Sequence, residues 1–342
     1  MVYKVITFGE VMLRLAPPNF QRFTQAELFN ATYAGGEANV AASLAKFGID
    51  AYFVTKLPSN DIGQAALNYL RRFNVKTDYI ILGDGRLGIY FLETGAAHRA
   101  SRVIYDRANS TIAQAEADEF EWEKYFREAD WFHVTGITPA LGTQPATATL
   151  EAVKAAKDMG LSISIDLNYR KNLWTTTEAQ KVMGELVEYA DLIVGNEEDA
   201  DKVLGIRAAN SNINSGELNI DSYKEVASEV HGKYAPNYVA ITLRESKSAS
   251  HNGWSALLYN GSEHFLSKKY DILPIIDRVG GGDSFAAGLI YGLLTKMKEQ
   301  EALEFAVAAS CLKHSMHGDF NLVSVDEVNN LVEGDGSGRV QR

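Results

Sequence analysis

The sequence contains a single cysteine, Cys311, among its 342 residues. One cysteine excludes an intramolecular disulfide framework and a cysteine-rich zinc or iron–sulfur site, and it is typical of a reducing compartment. Long apolar runs are also missing, because charged residues interrupt every stretch before it reaches the roughly 20 residues of a membrane span. The N-terminal residues include no run of signal-peptide length, so we expect a cytoplasmic protein that binds no membrane.

Basic residues are scarce: 33 Lys and Arg stand against 44 Asp and Glu, which gives a formal net charge of −11. They form no cluster, so nucleic acid and anionic membrane surfaces are not expected partners. A small anionic substrate is still compatible with this balance. Its binding site would contain a few isolated arginines.

Short apolar runs rich in β-branched residues alternate with segments of helical periodicity. The predicted strands are 4–9, 51–56, 131–135, 162–166, 191–194 and 238–242. The predicted helices are 37–47, 61–73, 146–159, 178–189, 222–231 and 285–294. This alternation predicts one α/β domain over residues 1–342, with a mostly parallel sheet covered on both faces. Ligands of such sheets bind beyond the carboxyl ends of the strands.

Two stretches, about 13–33 and 79–107, do not follow this alternation. The second one reads as a strand, a turn at Asp84 and Gly85, and further strands that end near Tyr105. We interpret the two stretches as a small β lid over the mouth of the sheet, and we expect none of its strands in the parallel core.

Two motif matches are rejected. Gly83, Gly85 and Gly88 have the spacing of a dinucleotide fingerprint, but a strand-like run follows them, whereas a phosphate-binding fingerprint must open a helix. His314 and His317 have a spacing found in metal sites, but no nearby carboxylate or cysteine completes a site. We expect this pair at the surface or, for His314, beside a nucleotide.

The strongest motif is Asp-Arg-Val-Gly-Gly-Gly-Asp over residues 277–283, followed by an apolar run long enough for a buried helix. The amides of Gly280, Gly281 and Gly282 would lie at the positive end of that helix, where they form an anion hole. Asp283 at this place suits a base that takes a proton from an attacking hydroxyl. A plain helix N-cap is the alternative, because aspartate is a favoured capping residue.

A second glycine motif, Gly35-Gly36-Glu37-Ala38-Asn39, also opens a predicted helix. Gly35 and Gly36 would let a ligand approach the backbone, and Asn39 can donate and accept hydrogen bonds with hydroxyls. A simple turn before a helix explains the same glycines.

Together the two segments resemble the two signatures of the ribokinase-like (PfkB) family of sugar kinases. These are an N-terminal Gly-Gly-x-x-x-Asn-x-Ala, present here with one residue fewer before Asn39, and a C-terminal Asp-x-x-Gly-x-Gly-Asp. Further matches follow in the family's order along nearly the whole chain: Gly9 with Glu10, Asp61 with Gly63, and Asn196 with Glu197. The resemblance implies a three-layer α/β/α sandwich with a small β lid.

The resemblance also implies roles for residues. Asp283 would be the catalytic base and the amides of 280–283 the anion hole, while Gly35, Gly36 and Asn39 would line the sugar. ATP with Mg²⁺ would supply the phosphoryl group, and phosphoryl transfer depends mainly on positioning and on neutralising charge. A monovalent cation near Asp277 is a further feature that the resemblance leaves open.

Around the nucleotide the implied contacts are Thr242, Asn196 and His314, with Glu197 and Asp199 acting indirectly on Mg²⁺. Here the sequence departs from the family. Asp199 stands where an Asn-x-x-Glu motif has glutamate, and residues 242–247 read Thr-Leu-Arg-Glu-Ser-Lys instead of Thr-x-Gly-x-x-Gly. The glycines that admit the nucleotide in the family are therefore absent. The sequence alone does not identify the phosphate donor.

Within the family the sequence is most similar to kinases of 2-keto-3-deoxygluconate, through Tyr90, the run 105–110 and the run 166–170. Arg107 and Arg170 could hold the carboxylate of a sugar acid, with Tyr90 and Tyr105 as hydroxyl donors and an apolar wall. Structural ion pairs of the two arginines with neighbours such as Asp106 and Asp166 are the alternative.

The implied reaction is phosphorylation of the terminal 6-hydroxyl of the sugar acid. A fructokinase or ribokinase acting on a neutral sugar is the alternative within the family, and a non-catalytic sugar or nucleotide sensor is the alternative outside it. An exposed lid strand offers an edge for pairing, so we expect a homodimer formed through the lid.

Overall fold

The computed structural model describes residues 3–207 and 219–334. A ten-stranded sheet runs through the centre, with the strand order β13-β12-β11-β10-β9-β8-β1-β4-β5 and with β14 paired to β12. These strands are β1 (Lys4–Phe8), β4 (Asp50–Pro58), β5 (Ile80–Gly83), β8 (Trp131–Thr135), β9 (Ser162–Asp166), β10 (Leu192–Gly195), β11 (Tyr238–Ser248), β12 (His251–Tyr259), β13 (His264–Leu266) and β14 (Tyr270–Ile272). Strands β5 to β11 along this order are parallel, and the last strands form an antiparallel edge.

Helices cover both faces of the sheet, each with its own apolar core. On one face lie α1 (Gly36–Lys46), α8 (Gly281–Leu294) and α9 (Glu299–Lys313), with α10 (Val325–Val332) packed against α9. On the other face lie α3 (Trp122–Phe126), α4 (Thr143–Asp158), α5 (Thr176–Leu186) and α7 (Ile220–Tyr234). Two further helical segments are α2 (Asp61–Arg72), beside β4, and the short α6 (Glu197–Asp199). Because the central strands are parallel, their carboxyl ends lie together at one edge of the sheet.

A second sheet has four strands in the order β3-β2-β6-β7. Two separate chain segments supply them: β2 (Met12–Ala16) with β3 (Asn30–Ala34), and β6 (Gly88–Glu93) with β7 (Arg102–Asp106). We call these four strands the small sheet. All five residues of β7 are exposed.

The predicted strand at the start of the 79–107 stretch is misplaced, because β5 belongs to the core sheet, where Thr55 of β4 pairs with Ile80 in parallel. Helix α2 returns the chain beside β4, so that β4, α2 and β5 form a βαβ unit. The predicted hairpin at Asp84 and Gly85 is therefore wrong as well, since β5 and β6 lie in different sheets.

The other predicted strands and helices are present, with ends that differ by a few residues. The largest difference is in β11, which was predicted to end at Thr242 and continues to Ser248 as one arm of a long hairpin with β12. Within the described ranges, no helix is long and apolar enough to cross a bilayer.

Candidate active site

The glycine-rich loop leads into the N-terminus of α8, as predicted. Gly280 has a φ of +83°, and a Cβ there would lie 2.0 Å from the carbonyl oxygen of Asp319. A Cβ on Gly281 would lie 2.8 Å from Cε1 of His314, whereas around Gly282 the space is open. Glycine is thus required at position 280, whereas a side chain at position 281 would displace the His314 ring. The open space around Gly282 leaves room for an anion at the N-terminus of α8.

Asp283 lies in the first turn of α8, and the N-cap of this helix is Gly280. The N-cap interpretation of Asp283 is therefore wrong. Instead, its Oδ2 accepts a hydrogen bond of 2.6 Å from Nδ2 of Asn39. Burial raises the pKa of Asp283 to about 6, and the bond from Asn39 opposes that rise. A carboxylate with this pKa is a better base near neutral pH than an ordinary aspartate.

The glycine pair before α1 brings this helix close to Asp283. A Cβ on Gly35 would lie 1.8 Å from the carbonyl oxygen of Glu10, and a Cβ on Gly36 would lie 3.7 Å from Oδ1 of Asp283. The Gly35 amide also donates to Oδ1 of Asn39 at 3.3 Å. Both glycines thus allow a close approach, and Asn39 is oriented to meet the carboxylate.

Five of the predicted residues line one open cleft of about 1050 Å³: Tyr105, Arg107, Arg170, Asn196 and Asp199. They come from the small sheet and from the carboxyl ends of β9 and β10. The edge at which a parallel sheet binds its ligands therefore forms one wall of the cleft.

Arg107 and Arg170 both line this cleft, but only Arg107 forms an ion pair with a described carboxylate. Arg107 is buried, and its Nε donates to Oε2 of Glu10 at 2.8 Å while its Nη2 contacts the same oxygen. Asp106 is not its partner, because Asp106 pairs with Arg86. Arg170 has no ion pair among the described residues, and its Nη1 donates to its neighbour's backbone carbonyl.

Arg170 also acts on three carboxylates at a distance. The predicted direct pair with Asp166 is not formed. Burial raises the pKa of Asp166, Asp199 and Asp283, and the charge of Arg170 opposes that rise in each of them. The guanidinium therefore lies within electrostatic range of both the cleft and Asp283.

Tyr90 is buried and does not line the cleft. Its hydroxyl donates to Oδ2 of Asp319 at 2.7 Å, and its ring lies 6.0 Å from that of Tyr105. Arg14 of β2 forms ion pairs with both Asp319 and Asp277. This buried network joins the small sheet to the loops around Gly280, and no motif in the sequence predicted it.

Of the predicted nucleotide and metal residues, Asp199 is buried and bound by backbone amides: its Oδ1 accepts from Tyr169 at 3.0 Å and its Oδ2 from Asn196 at 3.3 Å. The Glu197 side chain lies outside what the structure describes. Thr242 donates to the carbonyl of Gly195 at 3.4 Å. Among the described residues, no group of three or more His, Cys, Asp or Glu could hold a metal ion.

His314 is buried against the glycine-rich loop, whereas His317 is exposed, so the two do not act together. The Nδ1 of His314 donates to the carbonyl of Ser310 at 2.7 Å, and its ring lies 5.6 Å from that of Trp254. Burial lowers the pKa of His314 to about 4, which leaves the ring neutral.

Arg244 and Arg278 are a pair that the sequence motifs did not assign. The Arg244 guanidinium lies 5.8 Å from the Trp254 ring, and Nη2 of Arg278 donates to the carbonyl of Ala249 at 2.7 Å. Arg244 is exposed overall, but the partial burial of its guanidinium, followed by repulsion from Arg278 and Arg170, lowers its pKa. Neither forms an ion pair with a described carboxylate. For Arg244, the arginine in place of the family's glycine was the available signal, whereas no motif assigned a role to Arg278.

An α/β/α sandwich with glycines at a helix N-terminus and an aspartate in the first turn of that helix is compatible with a phosphoryl-transferring enzyme. The family model "pfkB family carbohydrate kinase" matches residues 3–324. The chain belongs to this family and is a carbohydrate kinase with the ribokinase-like fold.

Relatives and solved structures agree with this membership. A 2-dehydro-3-deoxygalactonokinase of Haloferax volcanii is 31% identical over 99% of both chains. The crystal structure of 2-dehydro-3-deoxygluconokinase from Thermotoga maritima superimposes with a TM-score of 0.94 at 51% identity, over 97% of this chain and 100% of the other. A putative Ribokinase II of Escherichia coli, solved with ATP and Mg²⁺, has a TM-score of 0.80 at 18% identity, over 97% and 99% of the two chains.

Proposed function

We propose that this kinase transfers a phosphoryl group from ATP to the terminal 6-hydroxyl of 2-keto-3-deoxygluconate. The observation that carries the proposal is the unpaired Arg170, which lies in one cleft with Arg107 and acts electrostatically on Asp283. A sugar acid brings a carboxylate that such a guanidinium binds by charge-assisted hydrogen bonds. The names of the Haloferax and Thermotoga relatives support this class of substrate.

Asp283 takes the proton from the attacking hydroxyl in this proposal. Its raised pKa suits the task, and the bond from Asn39 fixes the carboxylate beside Gly36, where the sugar would lie. The amides at the start of α8 hold the oxygens of the transferring group and stabilise the charge that develops there. Tyr105 and Arg107 close the cleft from the side of the small sheet.

Arg107 acts differently from Arg170. Its Nε and Nη2 bind Glu10, which fixes the plane of the guanidinium, and Nη1 forms no hydrogen bond with a described residue. Arg107 would therefore present a fixed donor to the substrate, while Arg170 supplies the uncompensated charge. The Tyr90 hydroxyl is bound to Asp319, so Tyr90 would contribute by packing its ring beside that of Tyr105.

The residues present fit ATP with Mg²⁺. The open face at Gly282 leaves room for phosphate oxygens, and Arg244 and Arg278 are unpaired cations near the loop. Thr242, His314 and Asn196 would surround the nucleotide. When bound, Mg²⁺ neutralises phosphate charge. Since no described carboxylate cluster could hold it, phosphates and water would supply most of its ligands, and Glu197 and Asp199 would act indirectly.

The experiment is an ADP-release assay with ATP and Mg²⁺ on 2-keto-3-deoxygluconate, its galactonate epimer, gluconate, fructose and ribose, with Asp283→Asn in parallel. We expect turnover selective for keto acids and lost in the variant. Turnover on fructose or ribose would favour the neutral-sugar kinase and contradict the role of the arginines. Binding of sugars without turnover on any of them would favour a sensor.

A further inference from the structure

Lys313, the last residue of α9, is fully buried. Its Nζ donates to the backbone carbonyl of Asp277 at 3.1 Å, just ahead of the glycine-rich loop. Lysine is almost never fully buried unless its charge is compensated. The roles proposed above for the active-site residues do not use this ammonium group, so its place in the fold needs another explanation.

The end of α9 forms the support on which the glycine-rich loop rests. Ser310 Oγ donates to the carbonyl of Gly281 at 2.7 Å, and the amide of Ile276 donates to the carbonyl of His314 at 2.9 Å. Together with the bond from Lys313 to Asp277, these contacts fix the loop on both sides of Gly280. The ammonium group therefore binds the backbone at the residue that begins the glycine-rich motif.

Five charged groups meet behind this loop. Burial lowers the pKa of Lys313, whereas Asp277, Asp319 and Asp283 favour its charged form and Arg14 opposes it. Arg14 is already paired with Asp277 and Asp319. Without Lys313, one guanidinium would face three carboxylates at a place that must also receive phosphate charge. Like charges so close together would weaken the anion hole.

We propose that Lys313 supplies, as a covalently attached ammonium group, the positive charge that an exchangeable monovalent cation would otherwise supply beside Asp277. The carbonyl of Asp277 is already bound by Nζ, and a second cation there would be repelled. Lys313 is thus a positioning residue for the glycine-rich loop, and the enzyme needs no potassium. The inference rests on the proposed role of that loop in phosphoryl transfer.

The first test uses the unaltered enzyme. Activity is measured in choline chloride, NaCl and KCl at equal ionic strength. We expect the same kcat in all three salts. An increase of roughly tenfold or more in KCl would show that an exchangeable cation is required and would overturn the proposal.

The second test uses Lys313→Met, which keeps the length of the side chain and removes its charge, with the exposed Lys154→Met of α4 as the matched control. We expect kcat to fall roughly 100-fold, as when one donor of an oxyanion hole is lost, with partial rescue by NH₄Cl or KCl. The acid limb of the pH profile should also move to higher pH, since Lys313 lowers the pKa of Asp283. Unchanged activity, or a loss without salt rescue and without this pH shift, would contradict the proposal.

A third measurement does not depend on turnover. The melting temperature of Lys313→Met should rise more in KCl or NH₄Cl than in choline chloride, while that of the parent enzyme should not discriminate between these salts. If the melting temperatures of the two proteins depended on the salt in the same way, the inference would be overturned. If no sugar is phosphorylated by the parent enzyme, the proposed function fails, whereas this measurement still decides the role of Lys313.

Discussion

At the scale of single residues, Arg107 and Arg170 differ in what their removal leaves behind. Removing Arg107 leaves the buried Glu10 without its cation, so the loss affects folding as well as binding. Arg170 has no ion pair, and its removal leaves no described carboxylate without a direct partner. The two variants therefore separate the binding of the substrate carboxylate from the stability of the fold.

We predict that Arg170→Met lowers kcat/KM for 2-keto-3-deoxygluconate by roughly 10- to 100-fold, the range of a lost charge-assisted bond. Its melting temperature should stay near that of the parent enzyme. Arg107→Met should lower both quantities. Steady-state kinetics and thermal unfolding measure them, with the exposed Arg127→Met as control. Full activity of Arg170→Met on the sugar acid would contradict its role.

The raised pKa of Asp283 predicts how the activity depends on pH. Because burial raises its pKa to about 6, the carboxylate is protonated below that pH and cannot accept the hydroxyl proton. We expect kcat/KM to fall as the pH decreases through about 6, and Asp283→Asn to lose roughly a factor of 1000 above that pH, with a smaller loss below it, where the parent enzyme is itself protonated. If kcat/KM of the parent enzyme fell only near pH 4, the base would be a group other than Asp283.

Arg244 stands where the family pattern has glycine, and it points to the binding of the phosphate donor. We predict that Arg244→Met raises the KM for ATP roughly tenfold, because a charge-assisted bond to phosphate is lost, and leaves the KM for the sugar unchanged. Initial rates at varied ATP measure this, again with Arg127→Met as control. An unchanged KM for ATP would remove Arg244 from the donor site.

At the scale of elements, the first turn of α1 contains a buried carboxyl group, Glu37. Its Oε1 accepts from the hydroxyls of Thr135 at 2.8 Å and Thr138 at 2.7 Å, which joins α1 to the end of β8. A Cβ on Gly9 would lie 2.1 Å from Oε2 of Glu37, so a larger residue there would displace this carboxyl group. Burial, opposed by these hydrogen bonds, raises the pKa of Glu37 from 4.5 to about 7.

This rise predicts how stability depends on pH. Between about 4.5 and about 7 the native protein binds more protons than the unfolded chain, so its stability falls as the pH increases. Across this range the free energy of unfolding should decrease by about 3 kcal/mol because of Glu37. Glu37→Gln should flatten this part of the profile. Urea unfolding across this range measures it, with the exposed Glu185→Gln as control. A parallel profile in Glu37→Gln would contradict the assignment.

The elements with clear periodicity could be predicted from the sequence, and β8 and β9 have the predicted bounds. The short β5 could not be placed, because an isolated apolar run does not say which sheet it joins. At the site, the glycine loop and Asp283 were predictable because their chemistry is local. Arg14 and Asp319 were not, because their contact joins positions 305 residues apart and depends on the tertiary fold.

At the scale of the whole molecule, the small sheet has exposed strands at both of its edges. Its order β3-β2-β6-β7 leaves β3 and β7 as open edges. Beside β3, Leu28 is 74% and Phe29 is 40% exposed, and Ile104 on β7 is 53% exposed. Open edges with apolar side chains favour pairing with another chain. A symmetric contact between two small sheets would cover them.

We therefore predict that the protein is a homodimer formed through the small sheet. Light scattering after gel filtration should give twice the chain mass, and Leu28→Arg should shift it towards the monomer, because a charge buried without a partner opposes association. Met159→Arg, an exposed apolar position at the end of α4, is the matched control and should leave the dimer intact. A parent protein that elutes as a monomer would rule out this interface. A dimer insensitive to Leu28→Arg but broken by Met159→Arg would place the contact on the helical face instead.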